Sequence, residues 1–309
     1  MKILGIGNAI VDVISKVDEN FIVENNLSKG NMKLIFDENE FKKLISNIKI
    51  EKTVSGGSVA NSIVGLSQLG NKVGFIGKIS DDQFGVEYEN GLKKENVDFF
   101  YKKKKENLPT GTCLILVTPD SERTMCTFLG TAGKINESDI DKTVIDKSEI
   151  IFLEGYLWDE GDPKKAFNKA IRCANKIAMS LSDKFCVDRH KNDFLELVKN
   201  KLDITFANEE EISYLINAKK FDDVILFGKE IRKHLVITRG KKGAISIFDN
   251  KVTESQALEN LKILDLTGAG DLFAAGFLHG QINRFSEEEC LKKGTEMASK
   301  VIQKIGARL

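Results

Sequence analysis

A glycine-rich heptapeptide late in the chain combines an anion-binding turn with a carboxylate. Residues 265–271 read Asp-Leu-Thr-Gly-Ala-Gly-Asp and continue directly into the apolar stretch 272–278. The small residues Gly268, Ala269 and Gly270 leave backbone amides uncovered where a helix is predicted to begin. Unpaired N–H groups and the helix dipole favour a phosphate or a developing negative charge there. These three residues form a candidate anion hole.

The carboxylate that ends this turn has two interpretations. Asp271 would repel a bound phosphate unless it takes the proton from a nucleophile that attacks that phosphate. Alternatively, Asp271 is a first-turn acid that only complements the helix dipole. The heptapeptide alone leaves both interpretations open.

A second polar turn lies far upstream, at residues 55–62, and precedes an amphipathic stretch that Gly70 ends. The paired glycines Gly56 and Gly57 let a ligand approach the backbone, and Asn61 can donate and accept hydrogen bonds toward the same ligand. Gly-Gly-Ser is also a common loop and helix-capping sequence. The turn is therefore a candidate binding cradle with a structural alternative.

Composition limits the classes of partner. The 309 residues are 41% hydrophobic, enough to bury the core of one α/β domain. The 46 basic and 46 acidic residues cancel, so no net field attracts nucleic acid or an anionic membrane. Five cysteines without metal-ligand spacing, no signal-peptide pattern and no apolar run of roughly 20 residues favour a soluble, cytoplasmic protein.

Apolar runs that alternate with amphipathic stretches predict an α/β fold, with a mostly parallel central sheet and helices on both faces. Strands are predicted at 2–7, 73–78, 150–155, 178–182, 203–207 and 234–238. Helices are predicted at 38–48, 58–69, 83–95, 163–177, 190–200, 208–217, 268–283 and 286–304. One domain, 1–309, accounts for the whole chain.

Two segments break this alternation, at about 11–36 and 98–129. Their period-2 pattern and turn signals such as Pro119-Asp120 predict antiparallel strands. We expect the two segments to meet as a small β-sheet lid over the mouth of the main sheet.

Two familiar phosphate-binding motifs are excluded. Gly5-Ile6-Gly7 follows the first strand, but Ile10 replaces the third glycine of a dinucleotide-binding turn. Gly77-Lys78 is not a P-loop, because Ile79 replaces the Ser or Thr that would hold magnesium. Phosphate binding must therefore be assigned elsewhere.

Four ordered motifs together resemble those of the ribokinase-like, or PfkB, family of carbohydrate and nucleoside kinases. The first signature is similar to residues 56–85, and the second to 265–276. Between them, Asn208 to Glu211 look like the family's Asn-x-x-Glu motif, and Thr238-Arg239-Gly240 ends an apolar run. Their order and their spread over roughly 200 residues make a chance match improbable.

The resemblance implies a phosphoryl-transfer site. Asp271 would be the general base, and the amides of Gly268, Ala269 and Gly270 would hold the γ-phosphate of ATP. Asn208 and Glu211 would organise Mg²⁺ through its waters. The implied ATP-binding residues are Asn208, Thr238, Gly240 and Gly243. A monovalent cation, K⁺, is implied at Asp265, Thr267, Ile305 and Ala307, where relatives often bind one.

The acceptor site is implied by the same resemblance. Asp12 matches the family's acid that binds substrate hydroxyls, beside Gly56, Gly57 and Asn61. Within the family, the hairpin at 109–124 looks like the lid of adenosine kinases, and the compact chain is more like their bacterial forms. The corresponding pocket for the purine base would consist of Cys113, Thr127 and Leu129.

The expected function is ATP-dependent phosphorylation of the 5′-hydroxyl of adenosine, with no nucleic-acid or membrane partner. Ribokinase or another sugar kinase of the family is the enzymatic alternative, since these enzymes share every catalytic residue. A sensor without turnover is a third interpretation, and Asp271 argues against it because a sensor needs no base. The sequence leaves monomer and homodimer open.

Overall fold

The strands of the protein form two sheets. The computed structural model describes residues 1–158 and 161–309. The strands are β1 Ile3–Ile6, β2 Ile10–Lys16, β3 Met32–Ile35, β4 Lys52–Gly56, β5 Val73–Ile76, β6 Asp98–Phe99, β7 Gly111–Val117, β8 Arg123–Phe128, β9 Ile150–Glu154, β10 Ile177–Ser180, β11 Ile204–Asn208, β12 His234–Thr238, β13 Ala244–Phe248 and β14 Lys251–Ser255.

The larger sheet has nine strands in the order β14-β13-β12-β11-β10-β9-β1-β5-β6. All neighbours from β12 to β6 pair in parallel, and β13 and β14 add an antiparallel edge. The residues of β1, β5 and β9 are buried without alternation, as expected for parallel strands covered on both faces. The predicted fold class and its six central strands are confirmed.

Helices cover both faces of this sheet. They are α1 Glu19–Glu24, α2 Glu38–Ser46, α3 Ser58–Gln68, α4 Gln83–Lys94, α5 Lys142–Ile145, α6 Asp162–Cys173, α7 Lys184–Arg189, α8 Lys191–Glu196, α9 Glu209–Ile216, α10 Phe221–Ile231, α11 Ala269–Ile282 and α12 Glu287–Val301. Short 3₁₀ turns lie at Ala132–Lys134, Glu137–Asp139, Gly155–Leu157 and Gly240–Lys242, and a π turn at Leu197–Lys201. None of the helices described is both long and apolar enough to cross a membrane.

Helices α3 and α11 pack closely because Gly65 has no side chain. A Cβ at Gly65 would lie 2.7 Å from Leu272 Cδ1 and 3.1 Å from Ala275 Cβ. The residues of α11 from Leu272 to Leu278 are all buried, which explains why this helix is apolar on every side. This contact brings the first turns of α3 and α11 together.

Several predicted boundaries were wrong. The helix predicted at 163–177 ends at Cys173, because Ala174 is extended and β10 begins at Ile177. The helix predicted at 190–200 divides into α8 and the π turn. Helix α10 and the edge hairpin β13–β14 were not predicted at all.

The smaller sheet, the lid, has the order β3-β8-β7-β2-β4. The prediction that its strands are all antiparallel was wrong, since β2 pairs with β7, and β3 with β8, in parallel. It also includes β4, which lies outside the two predicted segments. Residues Asp98 and Phe99 instead extend the larger sheet as β6. The lid is thus assembled from both predicted segments and one more.

The two faces of the lid differ. The outer face, which includes Val13, Leu116 and Phe128, packs into the main core with α1 and α2, where Phe128 stacks on Phe41 with ring centroids 4.9 Å apart. The other face, which we call the inner face, has a separate apolar cluster. Its members are Ile10, Ile14, Cys113, Ile115, Val117, Met125, Leu129 and Ala132. Because side chains alternate along a strand, Asp12 lies on this same face between Ile10 and Ile14.

Candidate active site

The candidate site lies at the carboxyl edge of the larger sheet, where ligands of open α/β sheets bind. Glu154 and Ser180, at the ends of β9 and β10, pair directly. Asn208 and Thr238, at the ends of β11 and β12, pair in the same way. Asn208 and Thr238, which were predicted from separate motifs, are therefore neighbours at this edge.

Asp271 is held by two side chains of the upstream turn. Its Oδ1 accepts a hydrogen bond from Ser58 Oγ at 2.6 Å, and its Oδ2 accepts one from Asn61 Nδ2 at 3.0 Å. Ser62 Oγ also donates to the Asp271 backbone carbonyl at 2.9 Å. The two glycine turns, singled out separately in the sequence, thus meet at one carboxylate.

The surroundings of Asp271 make it a stronger base than an ordinary carboxylate. Burial raises the pKa of Asp271 to about 6, while the hydrogen bonds from Ser58 and Asn61 and the charge of Arg308 act in the opposite direction. At neutral pH the carboxylate is ionised and able to accept a proton. A base whose pKa lies near the working pH suits general base catalysis.

The predicted anion hole is a tight turn at the start of α11. Gly268 has φ +78°, and a Cβ there would lie 2.6 Å from Ala307 Cα. The Ala269 amide donates to the Leu266 carbonyl at 3.2 Å. Beside Gly270 there is open space, because a Cβ would meet no atom within 4 Å. The turn leaves room for an anion at Gly270 in particular.

The two glycines of the upstream turn are required for different reasons. Gly56 lies under Asp12, since a Cβ would be 2.4 Å from Asp12 Oδ2. Gly57 has φ +100°, and its Cβ would be 2.2 Å from the Asn8 carbonyl oxygen. Burial raises the pKa of Asp12 to about 7, opposed by the charge of Arg308. Asp12, Gly56, Gly57 and Asn61 are brought together as predicted.

The three residues predicted to contact the base lie on the inner face of the lid. Cys113 pairs with Asp12 in the β2–β7 register, and Thr127 Oγ1 donates to Cys113 Sγ at 3.3 Å. Burial raises the pKa of the Cys113 thiol, which keeps it neutral. Leu129 packs against the apolar cluster of this face. An apolar surface therefore adjoins the polar group formed by Asp12 and Asp271.

Asn208 and Glu211 form a reciprocal cap at the start of α9. Glu211 Oε1 and Oε2 accept from Asn208 Nδ2 at 2.6 Å and from its backbone N–H at 3.0 Å, while the Glu211 amide donates to Asn208 Oδ1 at 2.8 Å. Glu211 is buried, and burial raises its pKa to about 7. This acid is not an ordinary exposed helix residue.

The donor set here fits a magnesium ion held through water. Both oxygens of Glu211 already accept hydrogen bonds from Asn208. Across residues 1–158 and 161–309, no three His, Cys, Asp or Glu side chains form a direct metal-binding cluster. Because Mg²⁺ usually keeps several waters and binds substrate phosphates, such a site needs few direct protein ligands.

The remaining predicted nucleotide residues surround a tight turn after β12. Thr238 ends the strand beside Asn208, and the Arg239 amide donates to the Gly243 carbonyl at 2.8 Å. Gly240 and Gly243 both have positive φ, at +56° and +85°. Gly243 must be glycine, because a Cβ there would lie 2.0 Å from the Ser255 carbonyl oxygen, whereas a Cβ at Gly240 would meet no atom within 4 Å.

The residues predicted to bind K⁺ come together, and a cationic side chain lies among them. The Asp265 carboxylate accepts from Thr267 Oγ1 at 2.7 Å and from the Gly306 amide at 2.8 Å, which joins segment 265–267 to segment 305–307. Arg123, the first residue of lid strand β8, donates to the same carboxylate at 2.5 Å. A monovalent ion at Asp265 would compete with this guanidinium.

Two charged residues of the site were missed in the sequence. Glu154 is buried and accepts from the amides of Asn8 at 2.8 Å and Val59 at 2.9 Å, and burial raises its pKa to about 7. Its sequence signal is an acid at the end of the apolar run 150–154. Arg308 donates from Nε to Asn61 Oδ1 at 3.0 Å. No local pattern marks that residue.

Comparison with known proteins identifies the class. The model of the pfkB family of carbohydrate kinases matches residues 23–309, so the chain belongs to this family of phosphotransferases. A solved adenosine kinase from Sinorhizobium meliloti is similar over 100% of this chain and 95% of its own, with 36% identity and a TM-score of 0.89.

Two further relatives show the range of the family. A solved probable sugar kinase protein from Rhizobium etli CFN 42 shares 35% identity over 99% of this chain and 94% of its own, with a TM-score of 0.89. Adenosine kinase 2 of Arabidopsis thaliana is 26% identical over 98% of this chain and 94% of that protein. Members of one family at similar identity to this chain are thus named for different acceptors.

Proposed function

We propose that the protein transfers the γ-phosphoryl group of ATP to the 5′-hydroxyl of adenosine, giving AMP and ADP. The observation that supports this choice is the apolar inner face of the lid beside Asp12 and Asp271. A bare pentose offers that face only hydroxyls, whereas a purine ring buries apolar area worth roughly 25 cal/mol per Å² before the costs of ordering. The similarity to the Sinorhizobium meliloti adenosine kinase agrees with it.

The proposed reaction uses the residues around Asp271. The acceptor hydroxyl gives its proton to Asp271, its oxygen forms a bond to the γ-phosphorus, and the bond to the β,γ-bridging oxygen breaks to release ADP. The amides of Gly268 and Gly270 receive the charge on the transferring group, while the Ala269 amide already donates to the Leu266 carbonyl. Ser58 and Asn61 hold the base in place for this step.

The nucleotide and metal are assigned to the adjoining strand ends. Asn208, Thr238, Gly240 and Gly243 would contact ATP, and Asn208 with Glu211 would orient the waters of Mg²⁺. When bound, Mg²⁺ neutralises phosphate charge. K⁺ at Asp265, a cytoplasmic location, and a monomeric or homodimeric state remain predictions.

A sugar kinase is the second candidate. The Rhizobium etli probable sugar kinase matches this chain as well as the adenosine kinase does. Asp12, Asn61 and Asp271 would serve a furanose hydroxyl in either enzyme. The two functions therefore differ only at the inner face of the lid.

The decisive experiment measures ADP release with adenosine, inosine, ribose and fructose side by side. We expect adenosine to be preferred and ribose to be a poor substrate. Efficient phosphorylation of ribose with adenosine inert would establish the sugar kinase instead. Absence of turnover with every acceptor would contradict both.

A paired variant tests the lid face itself. Leu129→Asp places an unpaired carboxylate in the apolar cluster and should lower kcat/KM for adenosine roughly 100-fold, while any residual ribose activity changes much less. Leu129→Met keeps volume and polarity, and serves as the control with less than a tenfold effect. Equal losses for adenosine and ribose would contradict a base-binding role for this face.

A further inference from the structure

A guanidinium group reaches the acceptor site from the segment after α12. The Gly306 amide donates to Asp265 Oδ2 at 2.8 Å, and Ala307 packs against Gly268. These contacts direct Arg308 toward α3. Its Nε donates to Asn61 Oδ1 at 3.0 Å.

This hydrogen bond fixes which way the amide of Asn61 points. Because Asn61 Oδ1 accepts from Arg308, its Nδ2 is directed at Asp271 Oδ2, 3.0 Å away. An amide rotated by 180° would place its NH₂ group against the guanidinium, where both groups are donors. Arg308 therefore donates to Asn61, and Asn61 donates to Asp271, so this chain of hydrogen bonds ends at the proposed base.

The guanidinium has one buried nitrogen whose N–H groups the described residues do not use. Arg308 Nη2 is buried, and within the part of the chain that the structure describes it has no hydrogen-bond partner. The carboxylates of Asp12, Asp271 and Glu95 and the phenol of Tyr88 interact electrostatically with this group. An unpaired buried donor is costly unless a ligand receives it.

We propose that Arg308 is a positioning residue of this site: through Asn61 it orients Asp271, and its unpaired nitrogen donates to a ring hydroxyl of the acceptor. The inference rests on the proposed transfer to a hydroxyl, but not on which acceptor carries it. Asn61 and Asp271 would act alike on a nucleoside and on a free sugar.

The test compares Arg308→Met, Arg308→Lys and Lys304→Met, using the acceptor that wild type phosphorylates. Lys304 is an exposed cation of the same segment, so its variant removes an equal charge without touching Asn61. Arg308→Met should lower kcat at least tenfold and raise KM for the acceptor, with KM for ATP unchanged. Arg308→Lys should be intermediate, because an ammonium keeps the charge but lacks the planar fork.

Two readouts separate positioning from a structural role. The acid limb of the kcat/KM profile should move to higher pH in Arg308→Met, since a positive charge near Asp271 is lost. The loss of activity on replacing that acceptor by an analogue that lacks one ring hydroxyl, such as 2′-deoxyadenosine or 3′-deoxyadenosine for adenosine, should be smaller in Arg308→Met than in wild type for at least one analogue.

The outcomes are distinguishable from those of the proposed function. The inference is overturned if wild type turns over the acceptor and Arg308→Met has the same kcat, KM and acid limb as Lys304→Met. The proposed function would then still stand. If Arg308→Met does not fold, Arg308→Lys decides in the same way. If the deoxy analogues lose as much activity in Arg308→Met as in wild type, the proposed contact between Arg308 and the acceptor is overturned.

Discussion

Arg123 of the lid and Asp265 of the glycine turn form an ion pair with an N–O distance of 2.5 Å, and their side chains are only 20% and 10% exposed. The pair joins the first residue of β8 to the segment that precedes α11. The lid and the turn that would receive the γ-phosphate are thus connected by one charged contact.

Loss of this pair should change the response to K⁺. In Arg123→Met the Asp265 carboxylate loses its cationic partner, so a monovalent ion should replace it and KCl should activate the variant more than wild type. The measurement is initial rate against KCl concentration at constant ionic strength. Lys105→Met, which removes an exposed cation from the segment between β6 and β7, is the control. Identical KCl responses in all three proteins would contradict a cation site at Asp265.

Asp271→Asn should abolish proton removal while keeping the fold. The amide can accept from Asn61 Nδ2 and donate to Ser58 Oγ, so both contacts survive in altered form. We expect kcat to fall about 100-fold or more, with ATP affinity retained. Steady-state kinetics and calorimetric titration of ATP measure the two effects. A near-normal kcat would remove Asp271 from the role of base.

The activity of the wild type should decrease as the pH falls through about 6. Asp271 has a pKa raised by burial, so its ionised form is lost in that range rather than near pH 4. We expect kcat/KM to fall at least tenfold per pH unit below this limb, because Asp12, whose pKa burial raises to about 7, is protonated over the same range. The profile should be measured from pH 4.5 to 8 with thermal stability recorded at each point. A kcat/KM that stays constant down to pH 4.5 would show that a different group controls the rate.

Asp12→Ala should weaken the acceptor far more than the nucleotide. The substitution removes a charged hydrogen-bond acceptor beside Gly56, worth about 1.5 to 3 kcal/mol, so KM for adenosine should rise roughly tenfold to 100-fold. KM for ATP should stay within about twofold. The opposite result, a raised KM for ATP with an unchanged KM for adenosine, would show that Asp12 does not bind the acceptor.

Gly57→Ala should destabilise the protein by about 2 kcal/mol or more, since it combines positive φ with a Cβ 2.2 Å from the Asn8 carbonyl. Gly70→Ala is a matched control, because Gly70 also has positive φ, +81°, yet a Cβ there meets no atom within 4 Å. Denaturant titration gives the free energy of unfolding of both variants, and the difference between their losses is the cost of the contact with the Asn8 carbonyl. Equal losses would mean that backbone conformation alone requires glycine at position 57.

Sequence patterns predicted the parts of the site that have a local signature. The glycine turns at 56–57 and 268–270 are visible because only small residues allow a backbone to approach a ligand or a carboxylate so closely. The central strands are visible because parallel strands covered on both faces are apolar throughout. Both features depend only on residues that are close together in the sequence.

Other parts of the site depend on contacts between distant segments. Arg308 meets Asn61 across 247 positions, and neither residue has a neighbour that signals the other. The parallel pairing of β2 with β7 is equally hidden, because alternation shows which face a side chain occupies but not the direction of the partner strand. Helix α10 was missed even though Val224, Phe227 and Gly228 form a buried helical face.

The chain of donors around Asp271 has a consequence for biosynthesis. Its members come from residues 58–61, 271 and 308, and the hydrogen bonds span 210 and 247 positions. Contacts at such separations require long loops to close, which slows their formation. The cradle at residues 58–61 is therefore synthesised long before Asp271, and the base is oriented only once the two segments have folded together. Under the proposed function, a polypeptide that lacks Asp271 would have the cradle but would not transfer a phosphoryl group.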